Sequence, residues 1–180
     1  MSTIILKKLW LCVILLTFTV YAHAQHKLDE IPLLKVEDYK GKIPENAPFP
    51  IYTNSRVYFR IDTVIQKDPH QFQVGIKTKV EMYQPGSFWN TALVPENTVQ
   101  RMLKHEQGHV YIAYIAANLI EKEMLTFTFT DNWRTEVGQK FHELTQKYGK
   151  MDGDYDNETM HSRDLAEQEK WNKKLVNMLK

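Results

Sequence analysis

The sequence predicts an α+β domain in which a small antiparallel sheet packs on one long central helix, with two further helices toward the C-terminus. Two stretches of period-two alternation, separated by Lys67-Asp68-Pro69, supply the sheet. An apolar run from about Thr98 to Met124 supplies the helix, which carries His105-Glu106-Gln107-Gly108-His109 near its middle.

The first residues read as a leader and not as part of that fold. Lys7 and Lys8 form a positive n-region, Leu9 to Val20 an apolar run, and Ala22-His23-Ala24 a small-x-small cleavage site. Residues 1–24 are therefore expected to be a signal peptide, and residues 25–180 a single exported domain, periplasmic or extracellular. The apolar run is too short for a comfortable membrane span, so no stable insertion is expected after cleavage. Cys12, the only cysteine, lies in the leader, and the mature chain has no disulfide to hold it. The formal charge of +1 falls to about −1 once Lys7 and Lys8 are removed, which argues against a nucleic-acid partner or electrostatic membrane binding.

In chain order, Pro32, Pro44, Pro48 and Pro50 make the stretch from Gln25 to Ser55 an irregular lead-in with at most a short strand. Within it Tyr39 is the expected anchor and Gly41 a turn. From Arg56 to Gln66, Val57, Phe59, Ile61 and Ile65 share one face. From Phe72 to Met82, Phe72, Val74, Ile76, Val80 and Met82 do the same, so the two form a hairpin with one wet face. Gln84 to Asn90 is a turn whose Phe88 and Trp89 cover the end of the next helix. Asn97, with Gln100 three residues on, is the expected cap of that helix. Thr126 to Thr130 alternates like a short strand or forms a packed loop. A helix from Asp131 or Asn132 to Tyr148 buries Trp133, Val137, Phe141, Leu144 and Tyr148, and Gly149 stops it. Lys150 to Thr159 is an expected acidic loop. The last helix, from about Thr159 to Leu179, buries Leu165, Trp171, Leu175 and Leu179.

His-Glu-x-x-His on a helix carries a specific chemistry. At about 100° per residue, His105 and His109 lie about 40° apart on one face, with Glu106 about 100° round from His105, so two imidazoles can share one ion. Ile112, Ala113, Ala116, Leu119 and Ile120 continue the same stripe, which places the ligands in a buried wall. Neutral imidazoles hold zinc, water beside it drops to a pKa of roughly 7, and Glu106 takes the proton.

A catalytic zinc needs a third protein ligand. Ile115 stands where metzincins carry their third histidine, and Glu121 and Glu123 begin roughly 18 Å further along the axis, so the ligand comes from a later element. The candidates are Glu136, His142, Glu158 and His161, and the entry of His161 from the acidic loop favours it. Tyr155 is a candidate oxyanion donor or else a packed aromatic. The alternating acids Asp152, Asp154, Asp156 and Glu158 suggest calcium. Asn157 at the sixth position and Arg163 at the twelfth break that pattern, so a solvated loop is the better reading.

The motif His105-Glu106-Gln107-Gly108-His109 is followed by Tyr155-Asp156-Asn157-Glu158-Thr159-Met160-His161, then by Gln168 and Trp171-Asn172. Together they resemble a bacterial family of unknown function whose members are described as predicted secreted zinc-dependent proteases. Glu37-Asp38-Tyr39-Lys40-Gly41 and Ser87-Phe88-Trp89 echo further elements of that family. The resemblance implies His105, His109 and His161 as metal positions and Glu106 as catalytic base. Ser162 departs from it, standing where a glycine is usual, as does Val110, where an aromatic is common.

The reading that results is a zincin-like peptidase that hydrolyses peptide bonds in peptide or protein substrates with zinc (Zn2+) as cofactor. Its competitors are a catalytically inactive, zinc-stabilised envelope binding or assembly module, and a zinc-dependent amidase acting on cell-wall peptides.

Overall fold

The computed structural model describes residues 26–180, so the expected leader and its cleavage site lie outside the described residues. Among the described residues, no helix is long and apolar enough to cross a membrane. The architecture is α+β, with a hairpin and a minimal second sheet laid against three helices.

Strand β1 (Ile51–Tyr52) pairs antiparallel with β4 (Phe88–Trp89). Between them runs the long hairpin of β2 (Ser55–Asp68) and β3 (Gln71–Met82), to which β5 (Thr128–Phe129) adds a third strand in the order β2-β3-β5. The alternation of Val74, Ile76 and Val80 has its expected effect, because these side chains are buried. By contrast β2 is half-exposed throughout, with Ile61 and Val64 open to solvent. Its register with β3 slips between Ile61 and Thr63 and again between Gln66 and Asp68, each time leaving one extra residue on β2. Such bulges twist an edge strand and discourage pairing with other chains.

Helix α1 (Val99–Thr126) is the shared wall of the molecule. Ile120 and Met124 meet Val74, Ile76, Phe129 and the first half of α2 (Trp133–Thr159), whose Val137 and Leu144 are buried as their spacing predicts. Val110, Ile112 and Ile115 meet Tyr155 of α2 together with Trp171 and Leu175 of α3 (Leu165–Met178). A third cluster, Ile51, Trp89 and Val94, seats the N-terminal turn of α1 against the small sheet. Tyr39 is the anchor the sequence implies: its ring meets Trp89 edge-on at 5.3 Å. Gly41 is required by a close approach, since a Cβ there would lie 2.7 Å from the Ser87 carbonyl oxygen.

Four expectations need correction. Phe88 and Trp89 are buried strand residues, not turn aromatics. Asn97 does not cap α1; a 3-10 turn over Glu96–Thr98 leads into the helix, and Thr98 spends its hydroxyl on the Pro95 carbonyl oxygen. The acidic loop from Lys150 to Thr159 is helical, because α2 runs without a break through Gly149 and Gly153. Neither glycine meets anything within 4 Å at its Cβ position, so nothing there forces the chain to turn, and packing of Tyr155 extends the helix. This also removes the calcium loop. Finally, α3 starts at Leu165 behind an Asp164 cap, and Leu165 is exposed instead of buried.

Gly108 meets the close approach that a mid-helix glycine suggests, but the neighbour is a side chain. A Cβ there would sit 2.3 Å from Tyr155 Oη. Helix propensity alone would favour alanine by about 1 kcal/mol at any of these glycines. We therefore expect opposite outcomes in urea unfolding: Gly153→Ala stabilises by about 0.5 to 1 kcal/mol, whereas Gly108→Ala destabilises by about 1 to 3 kcal/mol through overpacking. Stabilisation by Gly108→Ala would contradict the packing described.

Candidate metal centre

His105 and His109 occupy the buried face of α1, and α2 crosses in front of them. The crossing matches two pairs at i, i+4 spacing, because Asp152 and Asp156 lie one turn apart on α2 just as the histidines do on α1. His109 Nδ1 is 2.7 Å from Asp152 Oδ1. Asp156 Oδ1 is 3.1 Å from His105 Nε2, 3.1 Å from His109 Nε2 and 3.3 Å from His161 Nδ1. Three imidazoles thus converge on one carboxylate oxygen.

His161 reaches this point from the end of α2. Met160, His161 and Ser162 all take positive φ, at 50°, 51° and 67°. Three consecutive left-handed residues without glycine are unfavourable and persist where surroundings over-determine them. Here Ser162 is fully buried with Oγ 3.0 Å from Met102 Sδ, and the His161 ring lies 4.8 Å from that of Phe49. The φ of 67° at Ser162 is one that glycine adopts without strain, so a serine there has to be held by its surroundings.

The histidine pair is braced from behind. His105 Nδ1 lies 2.9 Å from Gln168 Oε1, and Gln168 Nε2 donates to Tyr155 Oη and to Asn172 Oδ1, so the amide oxygen faces the imidazole. His105 therefore donates through Nδ1, and His109 donates through Nδ1 to Asp152. Both Nε2 atoms are left directed at the shared point, the arrangement by which outer partners orient metal-binding histidines.

Glu106 is buried beside them, and among the described residues it has no ion-pair partner. Thr53 Oγ1 donates to Glu106 Oε2 at 2.5 Å, and Tyr39 Oη lies 2.9 Å from Thr53 Oγ1. Since the threonine's one proton goes to the carboxylate, Tyr39 must donate to Thr53. Burial and the charge of Glu106 both push the Tyr39 pKa far above its ordinary value, which keeps that proton in place.

A cavity of about 110 Å³ opens onto this group, with His105, Glu106, His109, Asp156 and His161 in its wall and Phe49 to Thr53 opposite. His105, Asp156 and His161 can offer ligand atoms within 4.8 Å of one another, as can His105, Glu106 and His109. The remaining candidate ligands are placed elsewhere. Glu158 accepts a hydrogen bond from Trp171 Nε1, Glu136 is spent on Thr130, and His142 is exposed beside Gln146. Tyr155 is not available as an oxyanion donor: it is fully buried, stacks on the His105 ring at 4.7 Å and donates to the His105 carbonyl oxygen. Burial raises its pKa well above the ordinary tyrosine value.

Sequence reasoning missed Asp152 and Asp156 as a pair, as well as Thr53. The i, i+4 spacing of the two aspartates was a usable signal, hidden by reading the segment as loop.

A family model of bacterial proteins of unknown function, DUF922, matches residues 35–162. The chain belongs to this family. No curated protein and no solved structure gives a match. The DUF922 span runs from the approach to Tyr39 to the residue after His161, so it holds every cavity residue named above, while Gln168 lies beyond it.

Without a metal, the histidine–aspartate array has a definite pH signature. Burial works against a charged His109, but hydrogen bonds to Asp152 and Asp156 outweigh it and raise its pKa from 6.5 to about 10. Burial likewise opposes ionised Asp156, but the His105 and His109 imidazoles beside it outweigh that and hold its pKa well below the usual 3.8. The stabilisation from His109 is complete below pH 6.5 and is lost as pH rises through about 10. That from Asp156 is present above pH 3.8 and is lost on further acidification. Chelator-treated protein should therefore show its highest urea midpoint between about pH 4 and 6.5, declining toward pH 10. His109→Gln should flatten the alkaline decline, and a wild-type midpoint constant from pH 6.5 to 10 would contradict the assignment.

Proposed function

We propose that this protein is an exported zinc-dependent peptidase of zincin-like organisation. The observation that carries the reading is Glu106, a buried carboxylate in the cavity wall next to two histidines on the same helix, held by its own hydroxyl relay. A purely structural metal site has no use for such a group.

The donor set fits zinc. Two imidazoles present Nε2 with their tautomers fixed by Gln168 and Asp152. The distances of 3.1 to 3.3 Å around Asp156 Oδ1 are close to the ligand-to-ligand spacing of about 3.3 Å that tetrahedral bonds of about 2.0 to 2.1 Å produce. His105 and His109 would hold the ion, with His161 or Asp156 completing the set. Bound there, zinc supplies Lewis acidity, which polarises a carbonyl and makes water acidic near neutral pH.

The chain's own groups do the rest. Thr53 occupies Glu106 Oε2, which leaves Oε1 to take a proton from water and later return it to the leaving amine. Tyr39, kept protonated, fixes the orientation of Thr53. The wall from Phe49 to Thr53 faces the histidines across the cavity, and an extended substrate laid along it would bring its carbonyl to the cluster.

Glu106→Gln is expected to retain one zinc per chain while losing hydrolysis of a peptide library by at least about a thousandfold. Retained turnover would eliminate Glu106 as the base. Thr53→Val should lower kcat by roughly tenfold with little change in KM, since it removes a positioning bond worth about 1.5 kcal/mol.

A second reading draws support from Asp156. Its equal reach to all three imidazoles also suits a closed sphere of three histidines and one aspartate, as in a metal-stabilised binding module. Asp156→Asn distinguishes the two. Paired with His161→Ala it does so: in the peptidase only one of the two substitutions strongly weakens zinc binding, whereas in the closed site both do, and the wild-type protein hydrolyses nothing.

A further inference from the structure

The central cavity is the narrow middle of a longer cleft. On one side it shares Tyr52, Thr53, His109 and Asp152 with a chamber of about 250 Å³. Val57, Ile112, Ala113, Ala116 and Ile120 line that chamber. On the other side it shares Phe49, Pro50, Met102 and His161 with a chamber of about 510 Å³, whose walls include Leu93, Val94 and Pro95. The segment from Phe49 to Thr53 borders all three spaces.

The two chambers differ in charge. Asp152 is the only carboxylate lining the first, and it is engaged by His109. The second is lined by Arg101 and Arg163, both exposed, and by no carboxylate. Neither arginine forms a salt bridge among the described residues; Arg163 donates through Nε to the Met160 carbonyl oxygen, which fixes its stem but leaves its terminal nitrogens to other partners. Arg101 lies on the first turn of α1 and Arg163 directly after the left-handed residues Met160 to Ser162, so both adjoin elements that also position the histidine cluster. Planar guanidinium groups at the rim of an apolar chamber suit a carboxylate, which they bind through paired hydrogen bonds.

We propose that the cleft binds an extended peptide carrying an apolar side chain in the Ile112–Ile120 chamber and a carboxylate in the Arg101–Arg163 chamber, on opposite sides of the reacting amide. The carboxylate is that of an aspartate or glutamate side chain or of the peptide's C-terminus. Small residues on α1 give the first chamber its apolar floor: Ala113 and Ala116, where larger side chains would fill the space, leave it low enough for a guest side chain, beneath polar walls that include Asn54, Ser55 and Thr145. The proposal rests on the peptidase reading and names its substrate class.

The test is binding of short fluorescent peptides to the zinc-loaded Glu106→Gln full chain. Each peptide holds one leucine and one aspartate at varied spacing; matched sets replace aspartate by asparagine or lysine, or the terminal carboxylate by an amide. At the productive spacing the acid is expected to bind about tenfold more tightly than its neutral counterpart, and the terminal series shows which carboxylate is used. The preference should fall to about onefold in Arg101→Gln/Arg163→Gln and turn toward lysine in Arg101→Glu/Arg163→Glu. Equal affinities within every pair, or a preference that survives both double variants, would overturn the proposal. Hydrolysis by the wild-type chain is scored separately. Cleavage without acid preference refutes the carboxylate chamber and leaves the peptidase intact, whereas acid-selective binding without cleavage refutes the peptidase and leaves a binding cleft.

Discussion

The site depends on one contact, the phenol of Tyr155 pressed against α1 at Gly108. Its ring stacks on His105, its hydroxyl donates to the His105 carbonyl oxygen, and the missing Cβ at Gly108 leaves the room it needs. That single crossing sets the distance between α1 and α2. Asp156 follows Tyr155 directly and Asp152 lies one turn before it, so both carboxylates face the histidines once the phenol is seated. Six residues after Tyr155, the left-handed turn brings His161 to the same point. Gln168 then ties α3 to the assembly by donating to the Tyr155 hydroxyl and orienting His105.

The balance of charge in this cluster explains why it suits a cation. Glu106 is buried and Asp156 largely so against the two histidines, with Asp152 half-exposed at the edge, and drawing carboxylates out of water is costly unless they are paired. In the metal-free protein a proton on His109 meets part of that demand, which is why its pKa stands so high. A divalent ion at the shared point would replace the proton with a larger charge, and binding should release protons accordingly. Glu106 is the exception, since it is oriented by the neutral relay of Thr53 and Tyr39 and so keeps the freedom to accept a proton.

Much of the fold was legible from periodicity. The hairpin, the central helix and the buried face of α2 follow from alternation and from 3.6-residue spacing. The two histidines and Glu106 are legible because their chemistry is local to one helical turn. What was not legible depends on contacts between distant residues. Gly149 looks like a helix stop because glycine usually costs helix stability, yet the burial of Tyr155 six residues further on carries α2 onward. Once that segment was read as loop, the i, i+4 pair Asp152 and Asp156 could not be recognised. Thr53 is a single hydroxyl in a proline-rich lead-in, and nothing in its neighbourhood announces that it reaches Glu106 some fifty residues on. Tyr155 was correctly singled out, but for the wrong face: it supports His105 from behind instead of meeting a substrate.

The central claim is that His105 and His109 present their Nε2 atoms to one zinc ion beside Glu106. Anomalous diffraction at the zinc edge from crystals grown with stoichiometric zinc tests it most directly. The expected result is a single strong peak about 2.0 to 2.1 Å from both Nε2 atoms, with His161 or Asp156 as a further ligand and Glu106 outside bonding distance. A peak elsewhere, or none with the Nε2 atoms still on Asp156, would contradict it.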